Sequence, residues 1–323
     1  MKRFLKVLKW FSICLIFILV GVAILVSTRQ NRTFDEPYPQ LSASKDSAVI
    51  AQGKYLFYGP AHCMDCHASQ EDLEKVEQGI PVPPKGGRVW NLPIGTLTSA
   101  NITSDPETGI GKMTDPEFAR ALRYGVDRTG RALFDFMPFH NLSDKDMVAL
   151  MSFVRTFPAE KHATTAFEPN MLGKILNAFV FKPVGPTGEV PKSVSPEAGL
   201  EYGKYLAASV ANCRGCHTNR DLKTGEFVGP EYAGGFHMPI NDKPGSFVVT
   251  PNLTPDPETG RMSGWTEERF IQRFRQGKLI KESHMPWGPF KQFSDGDLKA
   301  IFNFLQSLDP IKNDPGATLV TES

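Results

Sequence analysis

Hydrophobic positions along this chain form three patterns, and the most extended is an uninterrupted apolar run near the N-terminus. The run, WFSICLIFILVGVAILVS, extends from Trp10 to Ser27. Its length is close to the roughly 20 residues that an α-helix needs to cross a bilayer. Basic residues precede it at positions 2, 3, 6 and 9. Such a flank favours a cytoplasmic N-terminus, with the rest of the chain outside the membrane.

We interpret residues 1–30 as a retained membrane anchor. A cleaved signal peptide is the alternative, but no Ala-x-Ala-like site follows the run, and the run is longer than a typical signal core. Cys14 lies inside it with no lipobox before it, and we interpret this residue as a small apolar side chain. The net charge of the whole chain is only +1, which gives no reason to expect a nucleic-acid partner.

The second pattern has helical periodicity and occurs twice. Apolar residues recur at i, i+3, i+4 and i+7 at Met147, Leu150, Met151 and Val154, and again at Leu298, Ile301, Phe302 and Leu305. These predict amphipathic helices that begin at Ser143 and Ser294 and end before Pro158 and Pro310. Each helix must pack its apolar face on another part of the chain.

Capping signals predict further helices in both halves. Thr114-x-x-Glu117 is a capping box for a helix that closes before Gly125, and its counterpart runs from Thr266 to Gly277. A shorter helix precedes each of two Cys-x-x-Cys-His motifs, and in the second half Ser195 and Pro196 form its predicted start. No alternating strand pattern of useful length is present, so the predicted fold class is all-α.

The chain is an internal repeat with an offset near 150 residues. QGKYLFYGPAHCMDCH matches YGKYLAASVANCRGCH, NITSDPETG matches NLTPDPETG, and LSDKDMVALMSFVRTFP matches FSDGDLKAIFNFLQSLDP, in the same order. A duplicated unit explains this order most simply. The predicted organisation is an anchor at 1–30, copies at 45–160 and 195–311, a linker at 161–194 and a tail at 312–323.

The third hydrophobic pattern lies in the linker. The segment NMLGKILNAFVF, residues 170–181, is apolar and amphipathic, and prolines follow it at positions 183, 186 and 191. We expect this segment to be buried between the two copies. Contact with a membrane surface is the alternative.

The chemistry of the chain is indicated by Cys63, Cys66 and His67, and by Cys213, Cys216 and His217. Each set is Cys-x-x-Cys-His, which attaches haem through two thioethers and supplies an imidazole to its iron. Zinc would need four ligands per closed site, and no second cysteine pair lies near either motif. Thioredoxin-like chemistry usually accompanies a βαβ pattern, which is absent. The loops are also too long for compact helical units unless a cofactor fills their centres.

The second axial ligand would decide between electron transfer and chemistry at an open iron. Met137 and Met285 each lie about 70 residues after the motif histidine of their copy, and each precedes a proline that holds the backbone extended. A methionine thioether opposite histidine raises the haem potential and leaves no open position. His140 and His284 are the fallback ligands. Met238 also precedes a proline, but its counterpart is Leu92, which argues against it.

Two further features have two interpretations each, and five further residues have one. The NITSDPETG and NLTPDPETG words either bind haem propionates or form plain turns. Trp90 either lines the haem edge or fills core. Met113, Met147, Met151 and Met262 are interpreted as core residues. His62 cannot reach across a haem from its turn, and we expect it to be solvated.

Together these features resemble the multihaem cytochrome c subunits of membrane-bound alcohol, gluconate and related dehydrogenases, and similar dihaem class I cytochromes c. The resemblance covers about residues 45–158 and 195–310. It implies two tandem class I cytochrome c domains and supports Met137 and Met285 as ligands. It also implies that Phe153 and Phe304 of the last helices pack near Gly53 and Gly203. Those subunits usually carry three haems, whereas this chain has two motifs.

The resulting hypothesis is a dihaem c-type cytochrome, anchored in the cytoplasmic membrane and not itself an enzyme, that relays electrons on the periplasmic side. Its cofactors would be two covalent haems c, and its partners would be redox proteins or a dehydrogenase or oxidase complex. The alternatives are an electron-transfer subunit of a membrane-bound dehydrogenase and a dihaem peroxidase-like enzyme with one open haem face.

Overall fold

The computed structural model describes residues 2–165, 167–221, 225–240 and 243–321, and it is mostly helical. The α-helices are α1 Lys2–Arg29, α2 Ser47–Tyr58, α3 Cys63–His67, α4 Leu73–Glu77, α5 Asp115–Tyr124, α6 Asp144–Val154, α7 Met171–Phe179, α8 Leu200–Tyr205, α9 Cys213–His217, α10 Glu267–Gln276, α11 Trp287–Phe290 and α12 Asp295–Gln306. Short 3₁₀ turns lie at Gln70–Asp72 and Pro196–Ala198, and a π-helical turn at Leu206–Val210 continues α8.

The all-α prediction is wrong in one respect, because two small antiparallel sheets accompany the helices. The strands are β1 Val89–Leu92, β2 Gly95–Thr98, β3 Glu168–Pro169, β4 His237–Pro239, β5 Ser246–Val249 and β6 Leu319–Thr321, in the orders β1-β2-β3 and β4-β5-β6. Each strand has at most four residues, which is too short for alternation to be recognised in a sequence. One outer strand of each sheet comes from outside the copies: β3 belongs to the linker and β6 to the C-terminal segment.

Most of the predicted helix ends are confirmed. Thr114 and Glu117 form both bonds of the capping box at the start of α5, and α5 ends at Gly125 with φ 59°. Ser143 caps α6 and Ser294 caps α12 through bonds from the backbone N–H three residues later. Ser195 does not cap, because its hydroxyl bonds the Glu197 carboxylate instead, and the α-helix starts only at Leu200.

The last helix of each copy packs its apolar face into the core against the first helix. All eight residues of the i, i+3, i+4, i+7 pattern are buried. A Cβ on Gly53 of α2 would lie 1.9 Å from the Ala149 carbonyl oxygen, and one on Gly203 of α8 would lie 2.1 Å from the Ala300 carbonyl oxygen. The Cβ atoms of Phe153 and Phe304 lie 2.8 Å from the same two positions. These helices therefore cross at a distance that only glycine permits, as the family resemblance implied.

A pair of reciprocal tyrosine hydrogen bonds connects the two copies. Tyr205 Oη donates to Asp146 Oδ2 at 2.6 Å, and Tyr55 Oη donates to Asp297 Oδ2 at 2.5 Å. Each aspartate lies in the first turn of the other copy's last helix. In addition, a Cβ on Gly288 of α11 would lie 2.3 Å from the Val76 carbonyl oxygen of α4, so the copies also meet by close backbone contact.

Most of helix α1 is exposed, and its C-terminal end packs against helix α7. An 18-residue window within residues 3–29 has a mean hydropathy of 2.7, and 6% of that window is buried. At 1.5 Å per residue the helix is about 40 Å long, which is sufficient to cross a bilayer. By length and composition it is a candidate membrane anchor.

The linker segment is not buried between the copies, and that expectation is wrong. Helix α7 contacts α1 instead, and much of its apolar surface is exposed. Because its buried positions are Gly173 and Ala178, the helix makes close contacts through small residues and leaves its large apolar side chains outside.

Candidate functional site

The two Cys-x-x-Cys-His motifs form short helices, α3 and α9, that begin in the same unusual way. The preceding residues, His62 and Asn212, have φ of 40° and 53°, in the left-handed region. Histidine and asparagine are among the residues that most often adopt it. This turn sets the direction of each motif helix, so that its cysteines and histidine line one cavity.

The motif histidines are oriented by backbone carbonyls. His67 Nδ1 lies 2.8 Å from the carbonyl oxygen of Ala100, and His217 Nδ1 lies 3.1 Å from that of Pro251. A carbonyl only accepts, so Nδ1 carries the proton and Nε2 keeps its lone pair for a ligand. Burial lowers the pKa of both imidazoles, which keeps them neutral at neutral pH.

The repeated Asn-x-Thr words hold those carbonyls in place. Asn101 follows Ala100, and its Nδ2 donates to the Glu160 carbonyl at 2.8 Å while its Oδ1 accepts from Thr103 N–H. Asn252 bonds the Ile311 carbonyl and Thr254 in the same way. Both amide side chains are buried, and their hydrogen bonds are made to other parts of the protein. The structure therefore favours the turn interpretation over direct contact with propionates.

The first cavity brings together all four predicted residues of its copy. It spans about 590 Å³, part of which is open to solvent, and it is lined by Cys63, Cys66, His67 and Met137. The remaining lining is largely apolar and includes Phe57, Ile102, Phe118, Leu122, Phe136, Phe139, Leu150 and Val154. His140 is not among the lining residues. Its Nδ1 contacts the Arg123 carbonyl and its Nε2 the Asp135 carboxylate, so its ring nitrogens are already used.

The second cavity is larger, about 1310 Å³, and brings together Cys213, Cys216, His217 and Met285. Met238 and His284 also line it, so three candidate ligands face one space. His284 Nε2 lies 3.0 Å from the Pro239 carbonyl, which occupies that nitrogen. Met285 begins the same turn as Met137, since each methionine carbonyl accepts a bond at 2.8 Å from the N–H two residues later. The repeat thus still favours Met285 over Met238.

The other residues that were considered for the core have different positions in the structure. Met147 and Met151 are fully buried in α6, as expected. Met262 is buried but also lines the second cavity. Trp90 is half-buried outside the lining of the first cavity, where Arg88 lies 5.1 Å from its ring and Phe136 is an edge-on neighbour.

The four motif cysteines are free, half-buried thiols. Burial raises their pKa, to about 12 for Cys63, Cys66 and Cys213. They are therefore neutral at physiological pH and add no charge to the cavity walls. Thioethers formed from them would be neutral as well.

His62 is the residue that sequence reasoning misjudged most. It is partly buried, lines both cavities, and packs edge-on against Phe290 of α11 with ring centroids 5.4 Å apart. Burial lowers its pKa. The expectation of a solvated side chain considered only its own turn, whereas the second copy covers it from a distance in sequence that no local signal reveals.

The two cavities differ in charge. Arg261 and Arg273 line the second cavity, and no Lys or Arg lines the first among the described residues. Arg273 lies 3.6 Å from the centroid of the Trp287 ring and donates to the Gly277 carbonyl at 2.7 Å. This contact holds a guanidinium beside the second cavity, and Ala121 occupies the aligned position in the first copy.

The residues present fit haem c. Each cavity has a mostly apolar lining, two neutral thiols one helical turn apart, and an imidazole whose Nε2 is unprotonated. A methionine from a Met-Pro loop reaches the same space.

No family model matches the chain, but curated relatives do. The cytochrome c subunit of alcohol dehydrogenase (quinone) from Gluconobacter oxydans is 30% identical over 82% of this chain and 56% of its own length. The corresponding subunit from Gluconacetobacter polyoxogenes is 28% identical over 84% of this chain. A diheme cytochrome c-type protein from Cereibacter sphaeroides is 26% identical over 91% of this chain and 96% of its own length. The chain is homologous to cytochrome c subunits.

The resemblance inferred from the motifs is thereby confirmed. Cytochrome c subunits are electron carriers and not catalytic chains, which agrees with the expected class of function. Cytochrome c relatives also imply covalently bound haem c. The chain spans about 58% of the length of the first dehydrogenase subunits it matches, and 96% of the diheme protein.

Proposed function

We propose that this chain is a membrane-anchored dihaem c-type cytochrome that relays electrons between redox partners outside the cytoplasmic membrane. Residues 45–160 and 195–311 form its two class I cytochrome c domains. The single observation that carries the proposal is that each copy of the repeat places its Cys-x-x-Cys-His and its Met-Pro methionine around one cavity. In addition, His62 lines both cavities.

Haem c bound at each site would supply an iron that gains and loses one electron. The motif thiols, Cys63 with Cys66 and Cys213 with Cys216, would attach it. His67 and His217 present Nε2 because Ala100 and Pro251 hold Nδ1. The apolar walls exclude water from most of the ring, and burial of this kind tunes the reduction potential.

Three features support this function. The basic flank of α1 favours an N-terminus in the cytoplasm, so the rest of the chain would lie on the other side. The relatives named as alcohol, gluconate and fructose dehydrogenase subunits favour a dehydrogenase as electron donor, and this chain would serve as its cytochrome component. The match to a diheme cytochrome over nearly its whole length favours two haems.

Methionine ligation is tested with Met137→Ala and Met285→Ala, made separately. Each variant should lose the sulfur-to-iron charge-transfer band of one haem and lower the potential of that haem, because histidine–methionine ligation maintains both. Spectra of the ferric protein and a redox titration measure the two effects. Pyridine haemochrome assays should give two covalent haems per chain in wild type and in both variants.

Met238→Leu is the matched control, because Met238 lines the same cavity as Met285 and also precedes a proline. It should leave both bands in place. Loss of a band in Met238→Leu instead of Met285→Ala would show that the ligand has been misassigned. Unchanged spectra in all three variants would favour an open haem face and therefore a peroxidase-like enzyme.

Arg273→Gln should lower the potential of the second haem by tens of millivolts, since a nearby positive charge disfavours the ferric state. The first haem should be unaffected. Arg269→Gln is the control, because Arg269 lies on the same helix with the same charge but is exposed and does not line the cavity. Redox titration of both variants measures the difference, and equal shifts would contradict a specific role for Arg273.

A further inference from the structure

Helix α7 presents an apolar stripe to solvent. Met171, Leu172, Ile175 and Phe179 follow the spacing i, i+1, i+4 and i+8, which places them within about a third of the helix circumference. Met171 is 70% exposed and Phe179 45% exposed, and Val180, just after the helix, is 58% exposed. Large apolar side chains clustered in this way on a surface mark a site of interaction.

The opposite side of α7 is fixed to the first copy. Asn170 caps the helix through Gly173 N–H, and its Nδ2 donates to the Pro93 carbonyl at 2.9 Å in the turn between β1 and β2. A Cβ on Gly173 would lie 2.1 Å from the Ile94 carbonyl oxygen. These contacts fix which face points outward, and that face is the apolar stripe.

The C-terminal end of α7 is held against the end of the anchor. The Arg29 guanidinium lies 5.7 Å from the centroid of the Phe179 ring, and Arg32 donates to the Phe181 carbonyl. Val26, three residues before Arg29 on α1, is buried although most of α1 is exposed. The C-terminal end of the stripe, at Phe179, therefore lies beside Arg29, two residues after Ser27, where the uncharged run of α1 ends.

Most charges close to the stripe are basic, and the nearest acidic residues along the chain are Glu168 before α7 and Glu189 after it. Lys174 and Lys182 lie in the segment 169–188, which has no Asp or Glu, and Arg29 and Arg32 lie beside it. An amphipathic helix with large apolar residues on one face and basic residues around it binds at the headgroup level of a bilayer, especially one with anionic lipids.

We propose that α7 lies in the surface of the membrane that α1 crosses, with Met171, Leu172, Ile175 and Phe179 inserted at the boundary between headgroups and acyl chains. The occupant of the stripe is lipid, because its contact with the end of α1 places it where the anchor leaves the bilayer. This inference depends on the proposed anchoring by α1. The first copy would then be attached to the membrane at two places and held in one orientation.

The test uses the full chain, reconstituted in vesicles of phosphatidylcholine and phosphatidylglycerol. A nitroxide spin label is attached at Ile175→Cys or, as the control, at Lys174→Cys, both in a Cys14→Ser background. Lys174 is exposed on the polar side of the same helix. The ratio of collision rates with oxygen to those with a water-soluble nickel chelate should be several-fold higher at position 175. Haem content verifies folding of both variants.

Co-flotation with vesicles tests the anchoring by α1 separately from the placement of α7 in the membrane surface. A chain that floats, with position 175 as accessible to nickel as position 174, would overturn the surface placement and leave the anchoring intact. A chain that does not float would overturn both. Protection of position 175 only after a dehydrogenase is added would assign the stripe to a protein partner and overturn the lipid assignment.

Discussion

Gly203→Ala is expected to destabilise the second copy severely. The new Cβ would lie 2.1 Å from the Ala300 carbonyl oxygen and 2.8 Å from Phe304 Cβ, and these atoms belong to helix α12 and cannot rotate away. Helices α8 and α12 would have to separate, at a cost of about 3 kcal/mol or more. That is a large share of the roughly 5–15 kcal/mol that stabilises a folded domain. Thermal unfolding and haem content measure the loss.

Gly53→Ala should have the same effect on the first copy, because its Cβ would lie 1.9 Å from the Ala149 carbonyl oxygen. Gly296→Ala is the control, and it should raise the stability instead of lowering it. Gly296 lies in α12, and its nearest heavy atom would be 3.9 Å away, so alanine should stabilise the helix by up to about 1 kcal/mol. A small effect of Gly53→Ala and Gly203→Ala would mean that the helices do not cross as described.

Tyr205→Phe is expected to weaken the contact between the two copies by about 1.5–3 kcal/mol, the usual range for a hydrogen bond to a charged group. Its hydroxyl donates to the buried Asp146 carboxylate and accepts from Ser143 N–H at 3.1 Å. Burial, followed by the charge of Asp146, raises the pKa of Tyr205, so the hydroxyl keeps its proton. Calorimetry should show a lower midpoint of thermal unfolding, or two unfolding transitions in place of one.

Tyr55→Phe should cost less, because Asp297 keeps a second tyrosine donor, Tyr202 Oη at 2.8 Å. Asp146 keeps a longer bond from Ser143 Oγ at 3.2 Å, and Gln52 stands at the position in the first copy that aligns with Tyr202. Tyr58→Phe is the matched control. Its ring packs on Phe57 and Phe153, and its hydroxyl makes no hydrogen bond within the described part of the chain. If Tyr205→Phe were as mild as Tyr58→Phe, the tyrosine bonds would not hold the copies together.

Local signals predicted the helices well. Thr114, Ser143 and Ser294 cap helices as their residue types indicate, because a cap depends on atoms only two or three residues away. The cavity residues were also predictable, since the repeat allowed each motif to be checked against its counterpart. The prediction that Ser195 caps a helix is wrong because its hydroxyl bonds the neighbouring Glu197 carboxylate instead.

What the sequence could not provide were contacts between distant segments. The sheets depend on strands from the linker and the C-terminal segment that are too short to show a pattern. The partners of Tyr55 and Tyr205 lie in the other copy. The apolar content of α7 predicts burial, but the face that it presents outward follows from how Gly173 fits against Ile94.

The shared position of His62 has a consequence for how the proposed relay would behave. One imidazole borders both cavities and separates them. An electron on one haem would therefore repel an electron on the other, because the two sites would be close together and partly buried. Loading the first centre would make loading the second harder. The pair would then fill over a wider range of potential than two isolated centres and act as one coupled store of charge.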